Sequence, residues 1–278
     1  GGGGGGGWGG GGAAGLGGGW GASGGRARES GGRPVPREGV RVVECTNIMA
    51  GPYGSMVRGE MGAEVVKIES FEGDTSRGFE PHVNGESYCY AVINRNKKSI
   101  ALDLKEPRGL EVATRLATKA DILLESFRPG AMAKLGLDYA RLAQANPKLI
   151  YASISGFGQT GPYAGKGGFD IIAQGMSGIL RMTGDPGGRP AKVGIAMNDI
   201  AGGVTALQGV LAAYIARLRS GAGRYLETSL LDAGLAWTQL EFAAYFGSGT
   251  LPPATGTPPR PSAPDPAYPA PAGSRPGS

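Results

Sequence analysis

The sequence is poor in the side chains that most enzymes use for acid–base chemistry or for metal binding. It contains one histidine, His82, and two cysteines, Cys45 and Cys89. A Ser-His-Asp triad or a multi-histidine zinc site needs imidazole close to the reacting atoms, and two cysteines form neither a disulfide framework nor a zinc pattern. His82 stands in the polar segment 81–87, which predicts a solvated side chain. We therefore expect a carboxylate to carry the chemistry of this chain, with no metal.

Long hydrophobic runs and a strong charge of one sign are also missing. No uncharged apolar stretch approaches the roughly 18 residues of a membrane span. The longest candidate, around 209–218, is interrupted by Arg217. The net charge is +5, and no basic stripe with interleaved aromatic residues is present that would be typical of nucleic-acid binding. Together with the scarce cysteine, these features predict a protein of the reducing cytoplasm that binds neither membranes nor nucleic acid.

Glycine and proline, by contrast, are abundant and mark the two ends of the chain. Residues 1–38 are mostly glycine, and residues 248–278 are rich in proline, alanine, glycine and serine. Such segments bury too little apolar surface to offset the entropy lost on ordering, so both are predicted to be disordered tails. The part expected to fold is 39–247, a size typical of one α/β domain.

Between these ends, short β-branched runs alternate with helical periodicities. Strands are predicted at 40–44, 64–69, 99–104, 122–124, 149–153 and 225–228. Helices are predicted at 53–61, 107–120, 139–145, 171–179, 199–218 and 232–246. Strands that alternate with helices predict an α/β fold, specifically a Rossmann-like, doubly wound parallel sheet with right-handed crossovers.

Two common nucleotide-binding motifs are absent from this pattern. The loop 49–54 follows the first predicted strand but lacks the G-x-G-x-x-G glycines that let a pyrophosphate approach the backbone. Glu69, where a ribose-binding acid would stand, is not enough to restore that interpretation. The segment 161–166 resembles a P-loop, but its glycine spacing is one residue short and Gly167 replaces the Ser or Thr. An NAD-dependent oxidoreductase is therefore disfavoured.

Six segments together resemble the class III coenzyme A transferase family. They are 50–52, 62–69, 94–105, 127–130, 155–162 and 221–224. Six motifs in one order and spacing are far more specific than any single motif, and the resemblance runs from residue 39 to about 247. It implies an enzyme that moves coenzyme A (CoA) between an acyl-CoA thioester and a carboxylic acid. It also implies that CoA is a substrate, that no cofactor is needed, and that the full-length enzyme is an interlocked homodimer.

The resemblance places the catalytic nucleophile at Asp199. The family's nucleophile is an aspartate in a G-x-x-x-x-D segment that opens a long helix, and here that segment is 194–199. The dipole of the helix is expected to stabilise Asp199 as the anion, which is the form that attacks a thioester. Gly202 and Gly203 are expected to leave space for an acyl chain. From the residues alone, a simple N-cap is the favoured interpretation of Asp199, and it is the resemblance that reverses this preference.

Asp170 is the second acid near the expected site. It is predicted either to orient the substrate or to cap the helix 171–179. A related enzyme, α-methylacyl-CoA racemase, has a histidine just before the matching acid, whereas this chain has Phe169, which cannot accept a proton. Transfer is therefore favoured over racemisation, which is kept as an alternative. Formyl-CoA transferase has glutamine where Met49 falls, so a formyl–oxalate enzyme is not favoured.

CoA itself requires positive charge, because its adenosine end carries a 3′-phosphate and a pyrophosphate. The resemblance implies CoA contacts at Leu102, Lys105, Ser126, Phe127, Arg128 and Lys134. Phe127 is suited to stack on the adenine. Arg95, Lys97 and Lys98 add positive charge nearby, although each is equally compatible with a solvated surface position.

The end of the chain departs from the family. Its members continue well past residue 250 into a smaller domain, and residues 248–278 differ from that continuation. We therefore expect a truncated form of the fold, and an inactive CoA-binding fragment is a further alternative. The acyl donor and acceptor are not defined by this part of the sequence.

Overall fold

A computed structural model describes residues 39–256, which form an α/β fold around one main sheet. The strands are β1 Arg41–Cys45, β2 Glu64–Glu69, β3 His82–Val83, β4 Glu86–Ser87, β5 Lys97–Ala101, β6 Ile122–Glu125, β7 Ile150–Ser155 and β8 Arg224–Ser229. The helices are α1 Ala50–Glu60, α2 Tyr88–Ile93, α3 Pro107–Lys119, α4 Ala131–Lys134, α5 Tyr139–Ala145, α6 Asp170–Met176, α7 Ile179–Met182, α8 Met197–Ser220, α9 Leu230–Trp237 and α10 Gln239–Ser248.

The main sheet is parallel throughout and confirms the predicted doubly wound architecture. Its strands lie in the order β5-β2-β1-β6-β7-β8, while β3 and β4 form a separate antiparallel hairpin. Counted along the main sheet alone, this is the 3-2-1-4-5-6 order of Rossmann-like folds. The chain runs outward from β1 to β2 and β5, and then returns to place β6 on the other side of β1. The loops that leave β1 and β6 therefore diverge, which opens a crevice at the carboxyl edge of the sheet.

Alternate residues of the strands feed two hydrophobic cores, one on each face of the sheet. On one face Val42, Ile122 and Ile150 belong to a core that includes residues of α1 and α8. On the other face Val43 and Leu123 belong to a core that includes residues of α3 and α5. Strands buried on both faces are apolar at nearly every position, which is why they stand out in the sequence as continuous runs.

The long helix α8 packs closely against α1. A Cβ atom added at Gly203 would lie 2.5 Å from the carbonyl oxygen of Ala50, and one added at Gly54 would lie 3.0 Å from the carbonyl oxygen of Gly203. At Gly202 it would meet Leu230 Cδ2 at 2.9 Å. These glycines therefore allow neighbouring elements to approach, and the expectation that Gly202 and Gly203 leave space for an acyl chain is wrong.

Length and hydropathy alone would also allow α8 to cross a membrane. In the fold described here, α8 lies against the sheet, and the buried residues along it include Ala206, Val210 and Ala213. The packing of one helix face on the sheet accounts for this apolar composition.

Three predicted helices differ from the observed ones by more than two residues or are divided, each for a local reason. Helix α1 already begins at Ala50, because a proline such as Pro52 is tolerated in the first turn, where backbone N–H groups lack helical acceptors. The predicted helix 171–179 ends at Met176, since Gly178 adopts a left-handed φ of +81° before the short α7 begins. The predicted helix 232–246 is divided into α9 and α10 at Thr238, whose hydroxyl donates to the carbonyl oxygen of Gly234.

The remaining expectations concern His82 and the two ends. His82 lies in β3 with its Nε2 atom 3.0 Å from the carbonyl oxygen of Arg77, so its ring has a protein partner in addition to solvent. Helix α10 ends at Ser248, where the second tail was predicted to begin. Residues 1–38 and 257–278 lie outside the described residues, so the prediction of disorder there stays a prediction.

Candidate functional site

A cavity of about 400 Å³, the central cavity, lies at the carboxyl edge where the strand order reverses. Its walls come from the loops after β1, β6 and β7 and from the first turns of α6 and α8. This position and volume are typical of small-molecule sites in doubly wound folds. Five residues selected from the sequence line it together, namely Ser126, Phe127, Arg128, Asp170 and Asp199.

A second cavity of about 370 Å³, the outer cavity, lies beside the first at the ends of β2 and β5. Asn47 and Phe127 line both cavities. Leu102 and Lys105 line the outer cavity and not the central one, so the structure brings them to Phe127 but not to Asp199. Lys134 is exposed on α4 and lines neither of these cavities.

Asp199 lies in the first turn of α8, as predicted, but its ionisation differs from the expectation. Burial in the wall of the central cavity, and then the nearby charge of Asp170, raise the pKa of Asp199 to about 7. The helix dipole favours the anion, but loss of solvent and a second carboxylate outweigh it. The prediction that the helix start holds Asp199 readily ionised is therefore wrong. Its proton is lost near neutral pH.

Asp170 caps the start of α8 rather than its own helix. Its Oδ1 atom accepts hydrogen bonds from the backbone N–H groups of Asn198 at 2.7 Å and Asp199 at 3.1 Å. Its Oδ2 atom accepts one from Gln174 Nε2 at 2.6 Å. The second of the two predicted roles, capping the helix 171–179, is thus corrected: the cap acts across space, on a helix that begins some thirty residues later along the chain.

The turn that carries Asp199 is also tied to the neighbouring helices. The fully buried side chain of Asn198 donates from Nδ2 to the carbonyl oxygen of Leu230 at 3.0 Å, which joins α8 to the start of α9. The Oε1 atom of Gln174 accepts from the backbone N–H of Val193 at 3.0 Å, which joins α6 to the segment before α8. Asp199 therefore sits on a rigid platform built from three helices.

The basic residues expected near CoA differ in their partners and in their exposure. Arg95 pairs with Glu60 and the exposed Lys98 pairs with Glu64. Lys97 is 2% exposed and pairs with Glu44, so it cannot reach a phosphate in solvent. The expectation of additional positive charge from these three is wrong, because each is compensated by a carboxylate. The basic residues that line the central cavity are Arg128 and Lys166, both exposed.

Sequence reasoning missed part of the lining. Asn47 and Ile48 follow β1, Ser155 ends β7, and Lys166 lies in the long loop before α6. The sequence motifs assigned none of these four residues a role in the site. The signal that could have found them is topological, because loops that follow neighbouring parallel strands meet at one edge of a sheet.

The comparison with known proteins agrees with this geometry. The profile of CoA-transferase family III matches residues 38–274. The chain belongs to CoA-transferase family III. It is 42% identical over 228 residues to the succinate–glutarate CoA-transferase of Agrobacterium fabrum, covering 79% of this chain and 57% of that protein. It is 41% identical over 219 residues to the acetyl-CoA:oxalate CoA-transferase of Acetobacter aceti, covering 78% of this chain and 56% of that protein.

A solved structure supports the same assignment. A CaiB/BaiF family protein from Brucella suis superimposes with a TM-score of 0.78 and 38% sequence identity, covering 81% of this chain and 61% of that one. The resemblance drawn from the six motifs is thereby confirmed. The chain spans little more than half of the length of the two family III relatives named above.

Proposed function

We propose that this protein transfers CoA between an acyl-CoA thioester and a carboxylic acid through a covalent intermediate on Asp199. The observation that supports this most directly is the position of Asp199. Its carboxyl group lines the central cavity at the switch point of the sheet, together with Phe127 and Arg128. A pKa of about 7 leaves a large fraction ionised at neutral pH, and the anion is more basic than an ordinary aspartate.

The proposed reaction proceeds in four balanced steps. Ionised Asp199 attacks the acyl carbonyl carbon, and CoA leaves as a thiolate, which gives a mixed anhydride. The thiolate attacks the aspartyl carbonyl carbon, forms an aspartyl-CoA thioester and releases the first carboxylate. The acceptor carboxylate attacks that thioester and again expels the thiolate. The thiolate then attacks the acyl carbonyl of the second anhydride, which yields the new acyl-CoA and restores the anion of Asp199.

The remaining residues would bind and orient the substrates. We assign the phosphate end of CoA to Arg128, Lys105 and Lys134, and the adenine to Phe127 with Leu102. Ser126 would add a polar contact in the central cavity. Asp170 keeps the first turn of α8 in place, because its carboxylate accepts the N–H groups of that turn. It would also help to orient the substrate beside Asp199.

The proposal also covers the cofactors, the assembly, the localisation and the substrates of the protein. No step requires a metal or a redox cofactor, since the nucleophile and the leaving thiolate supply all electron pairs. We also propose a cytoplasmic homodimer that acts on small-molecule substrates without membrane or nucleic acid. The relatives act on succinate, glutarate and oxalate according to their names, which makes small dicarboxylates the first acceptors to test.

Trapping the intermediate tests the proposal. The protein is incubated with acetyl-CoA or succinyl-CoA and then with hydroxylamine, which converts an aspartyl anhydride or thioester into a hydroxamate that mass spectrometry locates. We expect the mark on Asp199, and we expect Asp199→Asn to fold and to lose transfer. Asp170→Asn, which keeps an oxygen toward the α8 turn, is the matched control and should retain the mark. A hydroxamate on Asp170, or full activity in Asp199→Asn, would refute the assignment.

A second candidate function is CoA binding without catalysis. The observation that favours it is that Phe127 lines both cavities while Leu102 and Lys105 line the outer one, so these assigned CoA contacts do not depend on Asp199. Calorimetric titration with CoA and with NAD separates both candidates from an NAD-dependent oxidoreductase. CoA transfer and CoA binding without catalysis both require CoA binding, and neither requires NAD binding. Racemisation is tested in the same samples by deuterium incorporation next to the thioester carbonyl.

A further inference from the structure

Four charged side chains form a buried cluster next to the central cavity. Lys67, Glu44 and Asp74 have fully buried side chains, and that of Lys97 is 2% exposed. Lys67 Nζ lies 2.9 Å from Glu44 Oε1 and 2.8 Å from Asp74 Oδ2, and Lys97 Nζ lies 3.1 Å from Glu44 Oε2. With two cations and two anions the cluster has no net charge. Burial opposes ionisation of Glu44, but Lys97 and Lys67 together hold its pKa below the ordinary value.

The cluster holds the loop 46–49 that follows β1. Lys67 donates its third hydrogen bond to the carbonyl oxygen of Thr46 at 2.9 Å. Asp74 Oδ1 accepts from the backbone N–H of Ile48 at 3.1 Å, while its other oxygen faces Lys67. Lys97 donates to the carbonyl oxygen of Pro52 at 2.9 Å, just beyond the loop. Lys67 therefore holds the loop at its first residue, Asp74 holds it at its centre, and Lys97 holds the chain just beyond its end.

The backbone at the centre of this loop is strained. Ile48 has a φ of +68°, in the left-handed region that β-branched residues avoid because Cβ crowds the backbone. Such a conformation persists only where surrounding contacts impose it. The N–H group of Ile48 donates to Asp74 Oδ1, which also accepts from Ser76, and to Asn47 Oδ1 at 3.1 Å. The contact with Asp74 therefore acts on the strained residue itself. Ile48 and Asn47 line the central cavity that Asp199 also lines.

We propose that Lys67 and Asp74 are positioning residues that hold Ile48 in its left-handed conformation and thereby shape the CoA-binding wall of the central cavity. Lys67 lines neither cavity, and Asp74 lines the outer cavity but not the central one, so both act on the central cavity through the loop. This inference rests on the proposed function for the identity of the ligand. A charge cluster that only stabilised the sheet would not need the hydrogen bond from Asp74 to Ile48, the residue of this wall with a strained, positive φ.

The test combines Asp74→Ala with relief of the strain. Glycine adopts a positive φ without the Cβ penalty, so Ile48→Gly removes the need to hold the loop. We expect Asp74→Ala to accelerate amide hydrogen exchange in the peptide 46–50 and to weaken acetyl-CoA binding, each about ten-fold. In the Ile48→Gly background the same change should weaken binding less than about three-fold. Asp74→Asn, which keeps size and an acceptor oxygen, serves where Asp74→Ala does not fold, and its effects should be smaller in both measurements.

Asp138→Ala provides the matched control. Asp138 also accepts a backbone N–H, that of Arg141 at 3.1 Å, but at the start of α5 and outside both cavities. It should lower stability without changing exchange in 46–50 or acetyl-CoA affinity. Unchanged exchange in the peptide 46–50 of the Asp74 variants would overturn the inference. So would faster exchange with unchanged affinity, or an equal loss of affinity in the Ile48→Gly background. If the wild type binds no acetyl-CoA, the proposed function fails, and the exchange measurement alone decides whether the cluster holds the loop.

Discussion

At the scale of single residues, the site depends on a carboxyl group that the fold keeps in an unfavourable environment. Asp199 loses solvent on folding and lies near a second carboxylate, and both effects oppose its ionisation. The proposed reaction needs the anion, so a nucleophilic Asp199 would lower the stability of the fold at neutral pH. The stability lost through the raised pKa of Asp199 can therefore be measured by varying the pH.

Replacing Asp199 by Asn should reveal this cost. The folded pKa is about 7 and the ordinary value is 3.8, so the protonated group contributes stability that is present below the lower value and lost as pH rises through the higher one. Asparagine has no such dependence. We expect the stability of Asp199→Asn relative to wild type, measured as the free energy of unfolding, to be about 2–4 kcal/mol greater at pH 8 than at pH 4. Urea unfolding at the two pH values measures it, and an equal difference at both would contradict the raised pKa.

The assigned phosphate contacts give a second prediction at this scale. Arg128 lines the central cavity, whereas Lys134 is exposed on α4 and lines neither described cavity. If both contact CoA, as the resemblance implies, each change to Ala should weaken CoA binding by about 1–3 kcal/mol. Calorimetry with CoA measures both variants. A loss for Arg128→Ala with no change for Lys134→Ala would restrict the phosphate contact to the residue that the cavity exposes.

At the scale of elements, the sequence located the six strands of the main sheet, although β5 lies at 97–101 and not at the predicted 99–104, and it missed the β3–β4 hairpin. It did not show which distant residues pack against each helix. The run that ends at Cys45 and the run 64–69 are buried on both faces, so their composition reveals them directly. Asp199 was found because a motif carries it. The cap from Asp170 to α8 and the packing of Gly203 on α1 join parts of the chain far apart in sequence. Periodicity reports which face of an element is apolar, but not which residue of a distant element meets it.

The α1–α8 contact gives a prediction with an internal control. A methyl group at Gly203 would meet a backbone carbonyl oxygen at 2.5 Å, whereas one at Gly209 would meet Leu226 Cδ1 at an ordinary 3.5 Å. Both glycines lie within α8, where alanine is the better helix former by about 1 kcal/mol. We expect Gly203→Ala to destabilise the fold by about 1–3 kcal/mol through forced separation of the helices. Gly209→Ala should be neutral or stabilising. Thermal unfolding of the two variants decides, and equal melting temperatures would contradict the close packing.

At the scale of the whole molecule, the described part of the chain exposes large apolar side chains on its last helices. Leu240 is 80% exposed and Phe246 is 79% exposed on α10, and Trp237 is 50% exposed at the end of α9. Several large exposed apolar residues on consecutive helices are typical of a surface that associates with another apolar surface. The 278-residue chain is therefore expected to self-associate in solution as its concentration rises.

Light scattering coupled to size-exclusion chromatography measures this association. The double variant Leu240→Glu with Phe246→Glu places charge on the exposed face of α10 and should lower the average mass at a given concentration. Leu218→Glu is the control, because Leu218 is 71% exposed on α8, outside these helices, and should leave the mass unchanged. A mass that falls equally in both variants would show that added charge, rather than this surface, is responsible.

The position of β1 in the middle of the sheet has a consequence for how the molecule acquires its structure over time. Val42 pairs with Val65 on one side but with the distant Ile122 on the other. Closing the longer loop costs more chain entropy and slows the pairing, so β1 and β2 should join before β6 docks. Glu64 donates its backbone N–H to the carbonyl oxygen of Val40, so the N–H groups of Glu64 and Val66 face β1. Pulse-labelled hydrogen exchange during refolding should show protection at Val66 before protection at Ile122, and simultaneous protection would rule this order out. Because the central cavity lies between the loops of β1 and β6, it exists only once the two halves of the sheet have met.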